Sequence, residues 1–358
     1  MKRTMLALGI LLVMALVVAS CGSDSTATTT TGGTTATTGA ACATVDKLNI
    51  GFFAPPPDFI QVLAPLAADL GFFTDQCLDV ETTIVESGGA SFTAMVAGEI
   101  DLSYSGSVSP ILGFAEGADA VIVTSSGALL DFVVIAIPEI DSCEALRGRR
   151  VATDGPGALQ HAIMEAYLGS CGLDIDTDVE LVIATGETYE AQFAQGNIDA
   201  TDLHIDEALS LSQNLGVEFN ILGESWKFAP SFHYASWTTS STVLAEKRPA
   251  IVRFTAALLQ AGAWIQDPAN KEDAAARVIE ITQQTPGIIL QAFEDFGTNF
   301  PATCAQQLPL AAYEGLMDFQ ITAGNLDETY PVTDLVDLSV CRDAEILLGR
   351  QPTNPPPG

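Results

Sequence analysis

Gly88–Asp101 reads GGASFTAMVAGEID, and Gly186–Asp199, 98 residues further on, reads GETYEAQFAQGNID. Gly98, Ile100 and Asp101 of the first copy recur as Gly196, Ile198 and Asp199 of the second. At the same offset Leu70-Gly71 returns as Leu168-Gly169, and with one residue of slippage Asp79-Val80-Glu81 returns as Asp178-Val179-Glu180. A supersecondary unit recurring at a fixed period predicts two similar lobes. The repeated glycines and aspartates read as turns and anchors of each lobe.

Both lobes alternate short β-branched runs with helical patterns, the cadence of βαβ units, which predicts an α/β fold with a mostly parallel sheet flanked by helices in each lobe. In the first, strands are expected at Lys47–Phe52, Asp79–Val85, Asp101–Tyr104 and Ala120–Thr124, and helices at Phe59–Leu70, Ser91–Ala97 and Pro110–Glu116. Ser109 is read as an N-cap with Pro110 in the first turn. The second repeats the order with strands at Arg150–Thr153, Val179–Ala184, Asp199–Leu203 and Val217–Leu222, and helices at Ala158–Leu168, Glu187–Gln195 and Ile205–Asn214. Strand-like stretches at Leu130–Pro138 and Phe232–Leu244 bracket the second lobe and predict a double-strand hinge. Helices at Pro249–Ile265, Lys271–Thr282, Gly287–Phe296 and Leu308–Ala323 then complete the first lobe. The expected division is 44–132 plus 240–350 for lobe 1, 133–239 for lobe 2, and a disordered tail at 351–358.

The N-terminal end carries Lys2 and Arg3, the apolar run Leu6–Val18, and then Val18-Ala19-Ser20-Cys21-Gly22. That run is too short for a ~30 Å hydrocarbon core but suits a cleaved export signal spanning 1–20. The ending resembles a lipobox, which implies that Cys21 becomes a lipidated N-terminus on the outer face of a bacterial cell membrane. Residues 21–43, rich in Thr and Gly, offer too little apolar surface to fold and read as a flexible tether. As a coil of about 20 residues it spans roughly 25 Å. Without Lys2 and Arg3 the chain keeps 12 basic residues against 45 acidic ones. That balance argues against nucleic acid and anionic lipid as partners, and leaves the lipid anchor as the one membrane contact. The six cysteines after Cys21 contain no CxxC pair and are expected as disulfides in an oxidising compartment. Six allow many connectivities, and pairing sequence neighbours inside each lobe suggests Cys42 with Cys77, Cys143 with Cys171, and Cys304 with Cys341.

Ligands of open parallel sheets sit beyond the C-terminal ends of the strands, where helix N-termini point free N–H groups at them. The loops at that edge are Ala54–Asp58, Glu86–Ala90, Ser105–Ser107, Asp154–Ala158, Thr185–Thr188 and Asp202–His204. Small and hydroxyl residues dominate them, as close backbone approach to a ligand requires. The segments LNIGFF, LGFFTDQCLDVE, ESGGASFTAMVAGEIDLSYSG, RGRRVATDGPG and GNIDA, in this order and spacing, resemble the periplasmic solute-binding proteins of the nitrate, sulfonate and taurine importers. That family includes the SsuA-like proteins and the THI5-like pyrimidine-precursor binders. The resemblance implies a type II periplasmic-binding-protein-like fold, a monomer that closes on a small molecule and hands it to an ABC permease.

Candidate ligand-binding residues are Pro57, Asp58, Ser87, Gly88, Gly89, Ser105, Ser107, Gly155, Gly157, Asp202, His204 and Trp226. Ser87–Ala90 either holds a polar ligand group or caps the following helix. Asp202 and His204 either meet ligand or pair with each other between lobes. Trp226, His233, Tyr234 and Trp237 either stack a ligand ring or pack beneath the hinge. No Lys or Arg occurs in these loops, whereas Asp58, Glu86, Asp154, Glu187 and Asp202 do, which favours a neutral or cationic heterocycle or an amine over an anion. No metal site, cofactor or catalytic residue is expected, since GxSxG, HExxH and CxxC patterns are all missing. An enzyme on the same scaffold and a ligand-sensing protein are the alternatives.

Overall fold

The structure is a computed structural model that describes residues 42–53, 56–184, 188–296 and 300–354. The lipobox, Cys21 and nearly all of the expected tether lie outside those residues.

From the N-terminal side the chain forms β1 (Asp46–Phe53), a short 3-10 turn, α1 (Leu63–Asp69), α2 (Phe72–Asp75), β2 (Leu78–Val85), α3 (Gly88–Val96), β3 (Leu102–Gly106), α4 (Val108–Ala115) and β4 (Val121–Gly127). It then crosses to β5 (Phe132–Ala136), β6 (Arg150–Thr153), α5 (Leu159–Ser170), β7 (Glu180–Ile183), α6 (Thr188–Ala194), β8 (Ala200–His204), α7 (Ile205–Leu215), β9 (Asn220–Glu224) and α8 (Ser225–Phe228). It returns through β10 (Ala235–Thr239) into α9 (Ser241–Gln266), α10 (Lys271–Thr282), α11 (Pro286–Phe296), α12 (Cys304–Gln307), α13 (Leu310–Thr322), α14 (Val332–Leu335) and α15 (Leu338–Leu347).

Two five-stranded sheets result, ordered β2-β1-β3-β10-β4 and β7-β6-β8-β5-β9. The parallel trios β2-β1-β3 and β7-β6-β8 are the two copies of the repeat, and one antiparallel strand follows each trio. That antiparallel strand is exchanged: β5 enters the second sheet straight from β4 of the first, and β10 enters the first straight after β9 and α8 of the second. The two stretches expected to form the hinge are thus both present, each lying in a different sheet. The crossings themselves are residues 128–131 and 225–234, joined by a bond from the Tyr234 amide to the Ala128 carbonyl at 3.4 Å. With β10 in the first sheet, the second lobe ends before the boundary at 239 expected from the sequence.

The repeated aspartates are anchors. Asp101 Oδ2 accepts from the Asn49 amide at 2.8 Å, and Asp199 Oδ2 accepts from the Arg150 amide at 2.9 Å, each tying the start of the third strand to the first. The two anchors differ in their counter-ion, Lys247 for Asp101 at 2.7 Å and Arg150 for Asp199 at 2.6 Å. Gly98 and Gly196 both adopt the left-handed backbone, at φ +76° and +70°, where a side chain would be strained.

The main core runs through the first lobe around Trp237, Tyr104, Phe52 and Phe254, and continues onto one face of the second sheet through Val133 and Ile135. Val134 and Ala136, on the other side of the pleat, join a smaller cluster with Val151, Met164 and Leu168. The disulfides are Cys42–Cys77, Cys143–Cys171 and Cys304–Cys341, the neighbour pairing expected.

Several local expectations shift. α4 starts at Val108, so Ser109 lies inside its first turn; Ser107 holds the cap position, but its hydroxyl is engaged with His233 and Ser236. The strand expected through Leu244 stops at Thr239, because Ser240 caps α9 by accepting from the Val243 amide at 3.1 Å. α9 then runs past Pro249 with a kink at Lys247. β9 begins at Asn220 rather than Val217, after Gly216 ends α7 in the left-handed region. The sequence reading missed α15, which packs against α9. Residues 351–354 of the expected tail are held: the Thr353 amide donates to the buried Glu345 carboxylate at 2.7 Å.

Asp101→Ala and Asp199→Ala are each expected to cost about 2 kcal/mol, because each leaves a backbone amide without its charged acceptor. Their effects should add in the double variant, since the anchors are in separate lobes. Urea unfolding measures this; losses below about 0.5 kcal/mol in both variants would show that neither aspartate ties its lobe together.

Candidate functional site

Antiparallel β5 and β10 start at the edge of each sheet where the parallel strands end. Their first residues therefore enter the cleft between the lobes. Phe132 opens β5 opposite His204 in the ladder, and Tyr234 immediately precedes β10. Around them lies a cavity of about 150 Å³, far above the ~10–15 Å³ that one water needs. Lobe 1 contributes Asp58, Gln61, Ser87, Gly88, Gly89 and Gly106, and lobe 2 contributes Asp154, Leu159, Gln160, Tyr189, His204 and Glu207.

The lobes touch directly at this place. Asp206 Oδ2 accepts from the Phe59 amide at 3.0 Å, and His204 Nε2 lies 3.6 Å from Asp58 Oδ2 and 3.5 Å from Gln61 Nε2. On its other side the His204 ring donates from Nδ1 to Asp131 Oδ1 at 2.6 Å, in the first crossing. The ring lies 4.0 Å from Phe132 and edge-on to Tyr234. Glu207 accepts from the His204 amide at 2.8 Å, closing a capping box at the start of α7. Gly106 brings β3 so close to α5 that an added Cβ would stand 2.7 Å from Leu159 Cβ.

Burial raises the carboxyls here. Asp154 is pushed up to about 7, its loss of water outweighing two backbone hydrogen bonds. Asp206 is pushed up to about 8 by burial and then by the charge of Asp58. Asp58, Asp202 and Glu207 are raised for the same leading reason, Asp202 also by Asp154. For His204 burial opposes the imidazolium, but Asp131 and Asp58 outweigh it and hold its pKa well above the ordinary value. No Lys or Arg lines the cavity among the described residues.

Of the residues singled out by sequence, Asp58, Ser87, Gly88, Gly89, Asp154, His204 and Tyr234 line the cavity together. Ser87 also caps α3, accepting from the Ala90 amide at 3.1 Å, so both of its readings hold geometrically. Pro57 faces a separate apolar hollow with Ile50, Phe52 and Phe73. Ser105 is buried behind the cleft, and Ser107 is buried against His233 and Ser236. Gly155 and Gly157 shape the turn before α5, both at positive φ. Asp202 is fully buried one pleat behind His204, and Trp226 packs at the edge of the main core. His233 is packed away, its pKa lowered to about 3 by burial, and Trp237 belongs to the core. Gln61, Ser109, Phe132, Leu159, Gln160, Tyr189 and Glu207 were not singled out. Phe132 had a signal available, as the first residue of an expected strand at the crossing; the others reach the cavity from helices whose facing the sequence does not mark.

Two lobes of matching topology, joined by two crossings and closed around a cavity, define the periplasmic-binding-protein-like fold. The chain belongs to the NMT1/THI5-like family, whose model matches residues 57–271. It is 22% identical over 284 residues to the putative binding protein YtlA of Bacillus subtilis, covering 77% of this chain and 84% of that protein. The nitrate-binding protein NrtA of Synechocystis superposes with a TM-score of 0.72 at 15% identity, covering 85% of this chain and 89% of that one. The alkanesulfonate-binding protein SsuA of Xanthomonas axonopodis, bound to MOPS, does so with a TM-score of 0.66 at 17% identity, covering 83% and 99%.

The raised carboxyls fix a sign for stability against pH. A carboxyl near 7 or 8 in the fold and near the ordinary 3.8 when unfolded keeps its proton longer in the native state. Its contribution is complete below about pH 4 and is lost as pH rises through its folded value. The ligand-free protein should therefore melt at a lower temperature at pH 8 than at pH 5, and Asp154→Asn should flatten the curve. Calorimetry reads it; a melting temperature that climbs over this range refutes the protonated cleft.

Proposed function

We propose that the protein is an extracytoplasmic solute-binding lipoprotein, tethered through Cys21, that captures a small molecule in the interlobe cleft and delivers it to an ABC importer. The observation that carries this reading is a cavity lined by both lobes, so that a ligand touching both favours their closure. The family, the binding protein YtlA and the nitrate- and sulfonate-binding structures support it. Three disulfides fit an oxidising compartment. The ligand-contacting set we assign is Asp58, Ser87, Gly88, Gly89, Asp154, His204 and Tyr234, all named from the sequence, with Gln61, Phe132 and Glu207 added by the geometry. A heterocycle or amine suits this lining better than nitrate or an alkyl sulfonate, because anions would meet several carboxyls with only the His204 imidazole, already bonded to Asp131, to offset them.

Thermal unfolding of the protein against sulfonates, nitrate, pyrimidines, flavins, amines and amino acids tests the reading. At ligand near 100 times its Kd the stabilisation is about 2.7 kcal/mol, a shift of several degrees. No shift with any class, and no copurified small molecule in native mass spectrometry, would count against solute capture. Closure has its own test. Gly106→Ala places a methyl against Leu159 across the cleft. It should weaken ligand binding about tenfold or more and raise the radius of gyration of the liganded protein in X-ray scattering, with little change in unfolding free energy. Unchanged affinity would show that the lobes need not meet there.

A further inference from the structure

We propose that the ligand is a small organic cation whose charged nitrogen sits among the carboxyls of Asp58, Asp154 and Glu207, displacing a proton from that group as it binds. The proposal rests on the solute-binding reading and names the chemistry of the cargo.

Those three carboxyls come from separate elements, the loop before the first 3-10 turn, the end of β6 and the start of α7, and converge on one cavity. Behind them stand Asp131, Asp202 and Asp206, all fully buried. The one imidazole facing this set is His204, already bonded to Asp131. The remaining titratable groups nearby are the phenols of Tyr104, Tyr189 and Tyr234, the carboxyl of Glu190, and the exposed carboxyl of Glu86 on the lobe 1 side of the cavity. So many carboxyls cannot all be ionised at low dielectric with a single cationic partner. They either keep protons or receive a positive charge from outside.

A second observation points to an incoming donor. Among the described residues, both oxygens of Asp202, Oδ1 of Asp206 and Oδ2 of Asp131 have no hydrogen-bond partner. Asp202 and His204 lie on one face of β8, two residues apart, and His204 lines the cavity. The unsatisfied acid thus stands directly behind the cavity wall, within electrostatic reach of Asp154 and Tyr189, which line it. The aromatic rings of Phe132, Tyr189 and Tyr234 complete a wall that suits an organic cation. A metal ion fits less well: among the described residues no group of three or more His, Cys, Asp or Glu is placed to hold one.

Proton displacement follows from linkage. The carboxyls hold protons near neutrality through burial, and a cation beside them favours the ionised form. Affinity for a permanently charged ligand therefore rises with pH, up to about tenfold per unit for each proton released.

Isothermal titration of the protein with benzamidine, 4-aminopyridine, ethanolamine and tetramethylammonium is compared with benzamide, uracil, methanesulfonate, and zinc and magnesium chlorides, at pH 6 and pH 8. Repeating each titration in buffers of different ionisation enthalpy counts the protons released. The expected result is at least one cation that binds tenfold or more tighter than every uncharged or anionic probe, tightens from pH 6 to pH 8, and releases a proton. Asp154→Asn and Glu207→Gln should each weaken that cation about tenfold, and Asp154→Asn should reduce the proton count. Preference for an anion, a neutral molecule or a metal ion overturns the proposal while leaving solute capture intact. Cation binding without proton release or pH dependence overturns the displacement. Binding by no probe overturns the proposal, while solute capture itself stands or falls on the wider panel and native mass spectrometry.

Discussion

Each lobe depends on a strand that the other lobe delivers. β5 completes the second sheet between β8 and β9, and β10 completes the first between β3 and β4, so neither sheet is continuous without the crossing chain. The backbone groups of these central strands are paired on both sides, and their side chains are fully buried. Unpairing either would leave many buried amides and carbonyls without partners. The lobes are thereby fastened as firmly as a single sheet, while the chain between them narrows to two short crossings.

That arrangement also determines where chemistry can happen. An antiparallel strand begins where its parallel neighbours end, so the crossings deliver Asp131, Phe132 and Tyr234 to the one edge at which helix N-termini and strand ends meet. His204 joins them from the end of β8 and bridges Asp131 on the crossing to Asp58 on the opposite lobe. The same few residues thus hold the crossing in place, line the cavity and carry its charge.

The duplicated segment supplies scaffold, and the site is asymmetric upon it. Asp101 and Asp199 do the same work in both lobes, bonding the backbone of the first strand. Toward the cleft the copies diverge. Lobe 1 offers the α3 N-terminus, with Ser87, Gly88 and Gly89, whereas lobe 2 offers Asp154, His204 and Glu207. A repeat preserves what each lobe needs to fold; the cleft is where its halves differ.

By itself the sequence determined the two-lobed α/β plan, most of its strands and helices, and the disulfide neighbours, because periodicity, glycine turns and helix caps act over a few residues. It also marked the loops that carry Asp58, Ser87 to Gly89 and His204. Only the tertiary structure decided that β5 and β10 are exchanged between the sheets, since a strand's partners are chosen by the sheet edges available to it and not by its own pattern. Only it decided that Asp202 and Ser107 turn inward while Gln61, Tyr189 and Glu207 face the cavity. Of the carboxyls that look like a solvated acidic rim in the sequence, Asp202 is fully buried and Asp58 and Asp154 are half-buried in the fold, and their charge acquires its meaning from that loss of water.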